Sequence, residues 1–325
     1  MQAFEYANPA TLQDAVALLG PRWGQTDVLA GGTDLISLMK DYVHTPKRLV
    51  NIKNIKELEG IGKSASGGLR IGALVTMDEL AKSAEVRSGY KALADAAEGI
   101  PSPQIRHMGT AGGDLCQRPR CWYFRNGFGL LAMKDGKALA PDGENQYHAI
   151  FGGGPAWFVS ASSLGPALVA LGAKVKLVSA KGSREVPVKD FFIAPKDENT
   201  REIALRPDEI LTEILVPASA AHTATHEVRQ KEALDWPLAA ASVALTMNGN
   251  VVVTARIVLG HVAPIPWQAT AAEKSLAGKT ITEASAEAAG KAAVEDAQPL
   301  SRNAYKVQLA KVAVKRALIE ANRKA

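Results

Sequence analysis

Apolar positions first recur at helical spacing over residues 12–19, where Leu12, Ala15, Val16 and Leu19 share one face. Thr11 stands at the N-cap and Gly20 follows the last turn, so a short helix is expected. Asp27-Val28-Leu29-Ala30 reads as a buried strand that runs into Gly31-Gly32-Thr33-Asp34, after which Leu35–Lys40 resumes helical spacing. Arg48–Ile52 reads as the next strand, and about one further βα step is expected to end in a strand at Leu69–Ala73. Thr76 and Glu79 form a capping-box pair, and Tyr90–Ala97 is an alanine-rich helix. Pro101 and Pro103 then break regular structure ahead of Thr110-Ala111-Gly112-Gly113-Asp114.

Periodicity fails between Leu115 and Ala149, where Arg, Gly, Lys, Asp and Asn crowd around Trp122-Tyr123-Phe124. A connection this long is insertion-like. Pattern returns with a strand at Ala156–Ser160, a helix at Ala167–Leu171 and an alternating strand at Lys174–Ser179. Pro207–Pro217 leads to Ala218-Ser219-Ala220-Ala221, a small-residue linker that marks a domain boundary. Beyond it, strands are expected at His226–Gln230, Ala239–Met247 and Val251–Leu259, the last two joined by the hairpin signal Asn248-Gly249-Asn250. Gln268–Leu276, Thr282–Asp296 and Asn303–Asn322 are helical by spacing and by Ala/Leu/Lys usage. The pattern predicts an α+β chain: a domain over 1–217 with the insertion at 115–149, then a smaller antiparallel-sheet-plus-helices domain over 222–325.

Composition adds limits. With 325 residues, 47% apolar and 22% charged, the chain has material for two ordinary globular domains. The net charge of +5 comes partly from Lys306–Ala325, and no basic cluster is interleaved with aromatics, which argues against nucleic acid as a partner. Two cysteines, Cys116 and Cys121, provide no disulfide framework and fit a reducing compartment. No basic and apolar leader opens the chain, and no apolar run is long enough to span a bilayer. A cytoplasmic protein is expected, periplasmic only if exported with a partner that carries a signal.

The candidate chemistry lies in the two glycine pairs, Gly31-Gly32 and Gly112-Gly113, each followed by an Asp. Without Cβ atoms in the way, successive amides can converge into a nest for phosphate oxygens, and two nests suggest a diphosphate. Neither pair fits a G-x-G-x-x-G fingerprint, and no P-loop lysine is present; Gly152-Gly153-Gly154-Pro155 suits a turn. Asp34 and Asp114 are read as structural or ligand-orienting rather than as a catalytic pair. Two thiols are too few for an iron–sulfur cluster, so free thiols are expected, with zinc completed by His107 and His148 as the alternative. His222 and His226 stand at H-x-x-x-H spacing, but Thr223 occupies the place of the metalloprotease glutamate, and no serine lies in G-x-S-x-G. Trp236 and Trp267 are expected to pack at element ends.

Ala30-Gly31-Gly32-Thr33-Asp34-Leu35, Gln104 to Asp114, Pro207-Asp208-Glu209-Ile210-Leu211, Asp235–Ala241 and Gly260–Trp267 together resemble the FAD-binding medium subunit of the xanthine dehydrogenase and carbon monoxide dehydrogenase family, the molybdenum hydroxylases. The resemblance spans essentially the whole chain. It implies a vanillyl-alcohol-oxidase-like (PCMH-type) FAD domain of two subdomains, divided near residue 55. It places the FAD diphosphate against Leu29, Ala30, Gly31, Gly32, Thr33, Asp34 and Leu35 on one side and Thr110, Ala111, Gly112, Gly113 and Asp114 on the other. Ile100 and Leu211 match apolar positions near the flavin, and Arg229 matches a basic one. The family's acid in a Pro-Ser-Asp motif falls at Leu164, and His107 stands where Asn is usual.

Residues 115–149 resemble the loop of the 4-hydroxybenzoyl-CoA reductase and aldehyde oxidoreductase branch, in which four cysteines hold a [4Fe-4S] cluster. Only Cys121 matches a ligand position; the others fall near Gly129, at about Ala138 and at Trp157, so the loop is expected without its cluster. The implied function is an oxidoreductase subunit that takes electrons from a partner's [2Fe-2S] clusters through FAD to an external small-molecule acceptor. Its implied partners are a molybdopterin-binding large subunit and a [2Fe-2S] small subunit, which allows a dimer of heterotrimers. The alternatives are a free-standing flavin oxidase of the vanillyl-alcohol-oxidase type and a non-catalytic scaffold that has lost flavin.

Overall fold

The computed structural model describes residues 1–219 and 221–323; Ala220 of the expected linker, and Lys324 and Ala325 of the expected C-terminal domain, lie outside them. The first layer is built from β1 (Glu5–Ala7), α1 (Leu12–Ala17), β2 (Thr26–Leu29), α2 (Leu35–Lys40) and β3 (Arg48–Asn51). β1 and β2 both pair parallel with the central β3. Thr11 caps α1 as expected, its hydroxyl accepting the Asp14 amide at 3.1 Å. Leu12, Ala15, Val16, Val50 and Ile52 fill this layer and meet Leu74 and Ile210 of the next one.

The expected βα step does not occur. A single 3-10 turn at Lys56–Leu58 leads into β4 (Ile61–Lys63), which turns back as an antiparallel hairpin on β5 (Leu69–Gly72). Gly60, just before β4, and Gly67, in the hairpin turn, both adopt φ +82, and this tight turn leaves no chain for a helix. Helix α3 (Met77–Lys82) starts at the Thr76/Glu79 capping box, and α4 (Ala84–Gly89) and α5 (Lys91–Glu98) follow. Pro103 does not break structure; it opens α6 (Pro103–Met108), where its missing amide costs nothing and Ser102 caps the Ile105 amide at 3.3 Å.

After α7 (Ala111–Cys116), the insertion contains α8 (Trp122–Arg125) and the small hairpin β6 (Met133–Lys134) and β7 (Lys137–Ala138). Ala156–Ser160 is not a strand but an extended link, tied by the Ala149 amide to Trp157 O (2.9 Å) and by its own Ser160 amide to Ala263 O (2.9 Å). Helix α9 (Leu164–Ala170), β8 (Lys174–Ser179), β9 (Gly182–Pro187), α10 (Val188–Phe191) and β10 (Ile210–Val216) complete the second layer. Its five strands run in the order β4-β5-β10-β8-β9, all antiparallel. Ile214 of β10 faces Ile71 on one neighbour and Val175 on the other, and Leu93, Leu168 and Phe191 close the core.

The remaining residues form the expected antiparallel sheet of β11 (His222–Val228), β12 (Ala239–Asn248), β13 (Val251–Gly260) and β14 (Trp267–Gln268), backed by α11 (Thr270–Leu276), α12 (Glu283–Ala292) and α13 (Tyr305–Ala321). β11 begins at His222 rather than His226. Small residues let the helices approach closely: a Cβ on Gly290 of α12 would lie 2.6 Å from the Lys311 carbonyl oxygen of α13. Helix α5 locks onto this sheet through Thr225 Oγ1, which donates to Ala92 O at 2.9 Å, and the Ala92 amide, which donates to Thr223 Oγ1 at 3.1 Å. Among the described residues, no helix is long and apolar enough to cross a membrane.

Candidate functional site

The first glycine pair sits at the β2-to-α2 turn. A Cβ on Gly31 would fall 1.8 Å from the Met108 carbonyl oxygen, so only glycine lets this loop lie against the end of α6. Gly32 occupies the left-handed region at φ +73. Among the described residues, the amides of Gly31, Gly32, Thr33 and Asp34 donate to no protein acceptor. They are the free donors that a phosphate nest requires. Ala30 to Leu35 line a cavity, while Leu29 is packed behind with Met39 and Leu49.

The second pair differs from the expected nest. Gly112 and Gly113 lie in the first turn of α7, and its amides are occupied: Ala111 donates to Val75 O (2.7 Å), Gly112 to Ala73 O (2.9 Å) and Gly113 to the Thr110 cap hydroxyl (3.1 Å). A Cβ on Gly112 would meet the Ala73 Cβ at 2.9 Å, so this glycine allows helix-to-strand contact. A Cβ on Gly113 would meet only the Thr110 hydroxyl within 4 Å. Thr110, Gly112, Gly113 and Asp114 line the same cavity, and Ala111 is buried behind them.

Both aspartates tether. Asp114 accepts from Ser162 Oγ (2.5 Å), the Leu164 amide (3.0 Å), the Ser163 amide (3.2 Å) and Gln117 Nε2 (3.0 Å), which fastens α7 to the start of α9. Burial raises its pKa, and these donors work against that rise. Leu164, the expected place of the family's acid, is fully buried, whereas its neighbour Ser163 lines the cavity. Asp34 accepts from the Arg118 amide (2.8 Å) and Arg125 Nη2 (2.7 Å) and forms an ion pair with Arg120 Nη2 (3.3 Å), which folds the start of the insertion over the first loop.

The cavity measures about 390 Å³, within the usual range for small-molecule sites. Ile52, Met77, Ile100 and Leu211 supply apolar wall. Its polar wall is one that sequence inspection missed: Arg118, Arg120, Arg201, His44 and Asp27. Arg118 Nη1 lies 2.6 Å from His44 Nε2, whose Nδ1 is 3.3 Å from Asp27, and Arg118 also pairs with Glu202. Burial would raise the Asp27 carboxyl, but the His44 hydrogen bond and the charges of His44, Arg201 and Arg118 outweigh it and hold the group below its ordinary value.

Arg201 stacks on Trp23 at 3.9 Å and Arg120 on Trp236 at 4.6 Å. Trp236, expected as packing, is therefore at the cavity wall and 43% exposed, whereas Trp267 does pack, stacked on Phe151 at 5.2 Å. Arg229 does not line the cavity; its guanidinium is committed to Glu227 and to the carbonyl of Gly99, which does. The Arg118-Pro119-Arg120 spacing, two cations around a rigid residue in a polar insertion, was the available signal.

Neither thiol lies in a cluster of metal-ligating side chains among the described residues. Cys116 borders the cavity, and burial pushes its thiol up to about 12. Cys121 Sγ lies 3.2 Å from His148 Nε2, but burial and then the Lys306 charge push His148 down to about 4, so this is a neutral pair. His107 is exposed on α6, bonded to Pro103 O at 2.6 Å, and does not join them as the zinc alternative requires. Among the described residues no group of three or more His, Cys, Asp and Glu is arranged to hold a metal ion.

Free loop amides, glycines that keep the space open, and the arginines of the cavity wall fit a phosphate-bearing cofactor. Fold and cavity thus define a nucleotide-cofactor-binding protein. Residues 2–219 match the FAD binding domain in molybdopterin dehydrogenase, and residues 224–321 match the CO dehydrogenase flavoprotein C-terminal domain. The chain is 32% identical to the carbon monoxide dehydrogenase medium chain of Hydrogenophaga pseudoflava over 97% of its own length and 96% of the relative's. It is 30% identical to the aldehyde oxidoreductase FAD-binding subunit PaoB of Escherichia coli (strain K12), over 100% of both chains. A solved structure of the Hydrogenophaga pseudoflava carbon monoxide dehydrogenase superposes with TM-score 0.77 at 31% identity, covering 98% of this chain and 97% of that one. The chain belongs to the FAD-binding medium subunits of the xanthine dehydrogenase and carbon monoxide dehydrogenase family, the molybdenum hydroxylases.

Proposed function

We propose that the cavity holds FAD in extended form, with its diphosphate on the free amides of Gly31 to Asp34 and its flavin toward Ile100 and Leu211. The observation that carries this is the first loop: four amides without protein acceptors facing a cavity whose floor is α7. When bound, FAD supplies a two-electron store between the one-electron [2Fe-2S] clusters of a partner and an external acceptor. The chain's own residues bind and orient. The glycine loop receives phosphate oxygens, Thr110 and Gly113 floor the cavity, the apolar walls exclude water, and Arg229 fixes Gly99 beside Ile100. Relatives named as medium chains and as an FAD-binding subunit support a molybdopterin-binding large subunit and a [2Fe-2S] small subunit as partners. The two family matches, which end at 219 and begin at 224, support the domain division between 217 and 222.

The test is the visible spectrum and released nucleotide of the purified chain. Flavin absorbance and FAD on denaturation are expected; a colourless protein that takes up no FAD sinks the proposal. Gly113→Val, whose Cβ would press on the Thr110 cap hydroxyl at 2.9 Å, should lose flavin while costing only about 1 kcal/mol of stability, the worth of one cap. Unchanged FAD content in that variant would count against the placement.

A further inference from the structure

Two glycine elements face one cavity, but only the first offers unused amides; the three leading amides of α7 are bonded within the protein. A diphosphate would then have a donor surface on one side and a saturated helix turn on the other. Arg120 occupies the remaining position. Its Nη2 lies 3.3 Å from Asp34, on the first element, and it leans across the cavity to stack on Trp236 at 4.6 Å.

Arg120 is lightly held: its polar contacts, to Asp34 and Gln117, both run through Nη2. Asp34 already has the closer Arg125 at 2.7 Å, Arg118 is shared between Glu202 and His44, and Arg201 lies between Glu202 and Trp23. The other polar contact of Arg120 is a long one, Nη2 to Gln117 Oε1 at 3.4 Å, and its Nε is buried without a partner. Pro119 before it limits the backbone, and the Trp236 face holds the plane of the guanidinium, so its unused edge is already oriented.

We propose that Arg120, a residue of the insertion, is a binding residue for the cofactor's diphosphate, adding to the first glycine loop the charge and hydrogen bonds of a guanidinium whose Nη1 donates to no protein acceptor among the described residues. The inference rests on the FAD reading of the cavity. It assigns the insertion a role in nucleotide binding, independent of any metal. Its ligand class is a nucleoside diphosphate, with the flavin contributing nothing to this contact.

The test is calorimetric titration of the full-length chain, freed of flavin, with FAD, ADP and adenosine, for the wild type, Arg120→Gln and Arg120→Lys. Loss of a charge-assisted contact should weaken ADP and FAD by about tenfold to hundredfold in Arg120→Gln and leave adenosine within about twofold. Arg120→Lys keeps a point charge but not the planar edge, and should lose about threefold to tenfold for ADP. Melting curves establish that each variant is folded; if Arg120→Gln is not, the lysine variant decides. Wild-type binding of FAD and ADP with unchanged ADP affinity in the folded variants overturns this inference alone. A wild type that binds neither overturns the FAD reading, and this inference with it.

Discussion

The two glycine pairs look alike in sequence and do different work. Gly31-Gly32 is a true loop, pressed against the end of α6 with its amides open. Gly112-Gly113 is the first turn of a helix, its amides bonded, its smallness used to seat α7 against the end of β5. The following aspartates diverge in the same way: Asp34 collects arginines from the insertion, and Asp114 collects a hydroxyl and two amides at the start of α9. A motif therefore defines a backbone shape, and the neighbouring carbonyls decide whether that shape has donors left to give.

The largest effect should come from Gly31→Ala. Its Cβ meets backbone, the Met108 carbonyl, at 1.8 Å, so the loop or α6 must move. Chemical denaturation should show a loss of about 3 kcal/mol, with FAD uptake abolished. Gly112→Ala meets the Ala73 side chain and should cost less, about 1–2 kcal/mol. Equal losses would erase the distinction between loop and helix turn.

Next in size is the pair of acids. Asp114→Ala strands the buried Ser162 hydroxyl and the Ser163 and Leu164 amides, and should cost about 3 kcal/mol. Asp34→Ala leaves the largely buried Arg125 and the half-buried Arg120 without their carboxylate but strands no buried hydroxyl, and should cost about 2 kcal/mol while altering nucleotide affinity. If Asp34→Ala proves the more damaging to stability, the assignment of Asp114 as the structural tether is wrong.

A pH series separates the cavity from the far end of the insertion. Burial, and then the Lys306 charge, hold His148 at about 4 and His261 at about 3, against an ordinary 6.5. As pH falls below 6.5 the unfolded chain takes up these protons before the folded one does. Stability, complete above about 6.5, should decline toward about 4 and then 3, by up to roughly 3 kcal/mol for His148 and roughly 5 kcal/mol for His261. Replacing His148 by Gln should flatten the melting-temperature profile between pH 6.5 and 4 without changing flavin content; an unchanged slope would contradict its neutral burial.

The smallest effect is kinetic. With its thiol near 12, Cys116 should alkylate far more slowly than a free cysteine at pH 8, even though it borders the cavity. Mass spectrometry after iodoacetamide treatment reads this directly, and rapid modification would mean that the cavity opens on the α7 side.

Much was legible in the sequence. Helical spacing with Thr11 and Thr76 as caps, the alternation of Lys174–Ser179 and the Asn248-Gly249-Asn250 hairpin are local signals, because capping and period depend on residues within a turn or two. The glycine pairs by themselves pointed to a diphosphate, and the family resemblance of the motifs around them implied a flavin-binding subunit before any fold was in view. Only tertiary structure decided that Pro103 starts a helix, that Ala156–Ser160 runs as a link, and that Gly112-Gly113 has no amides to offer. It alone brought Arg118, Arg120 and Arg201 to one cavity and set Trp236 over Arg120, across more than a hundred residues of chain. Hydrogen-bond partners and stacking faces come from segments distant in sequence, so which donors remain free for a ligand is settled only once every other segment has taken its share.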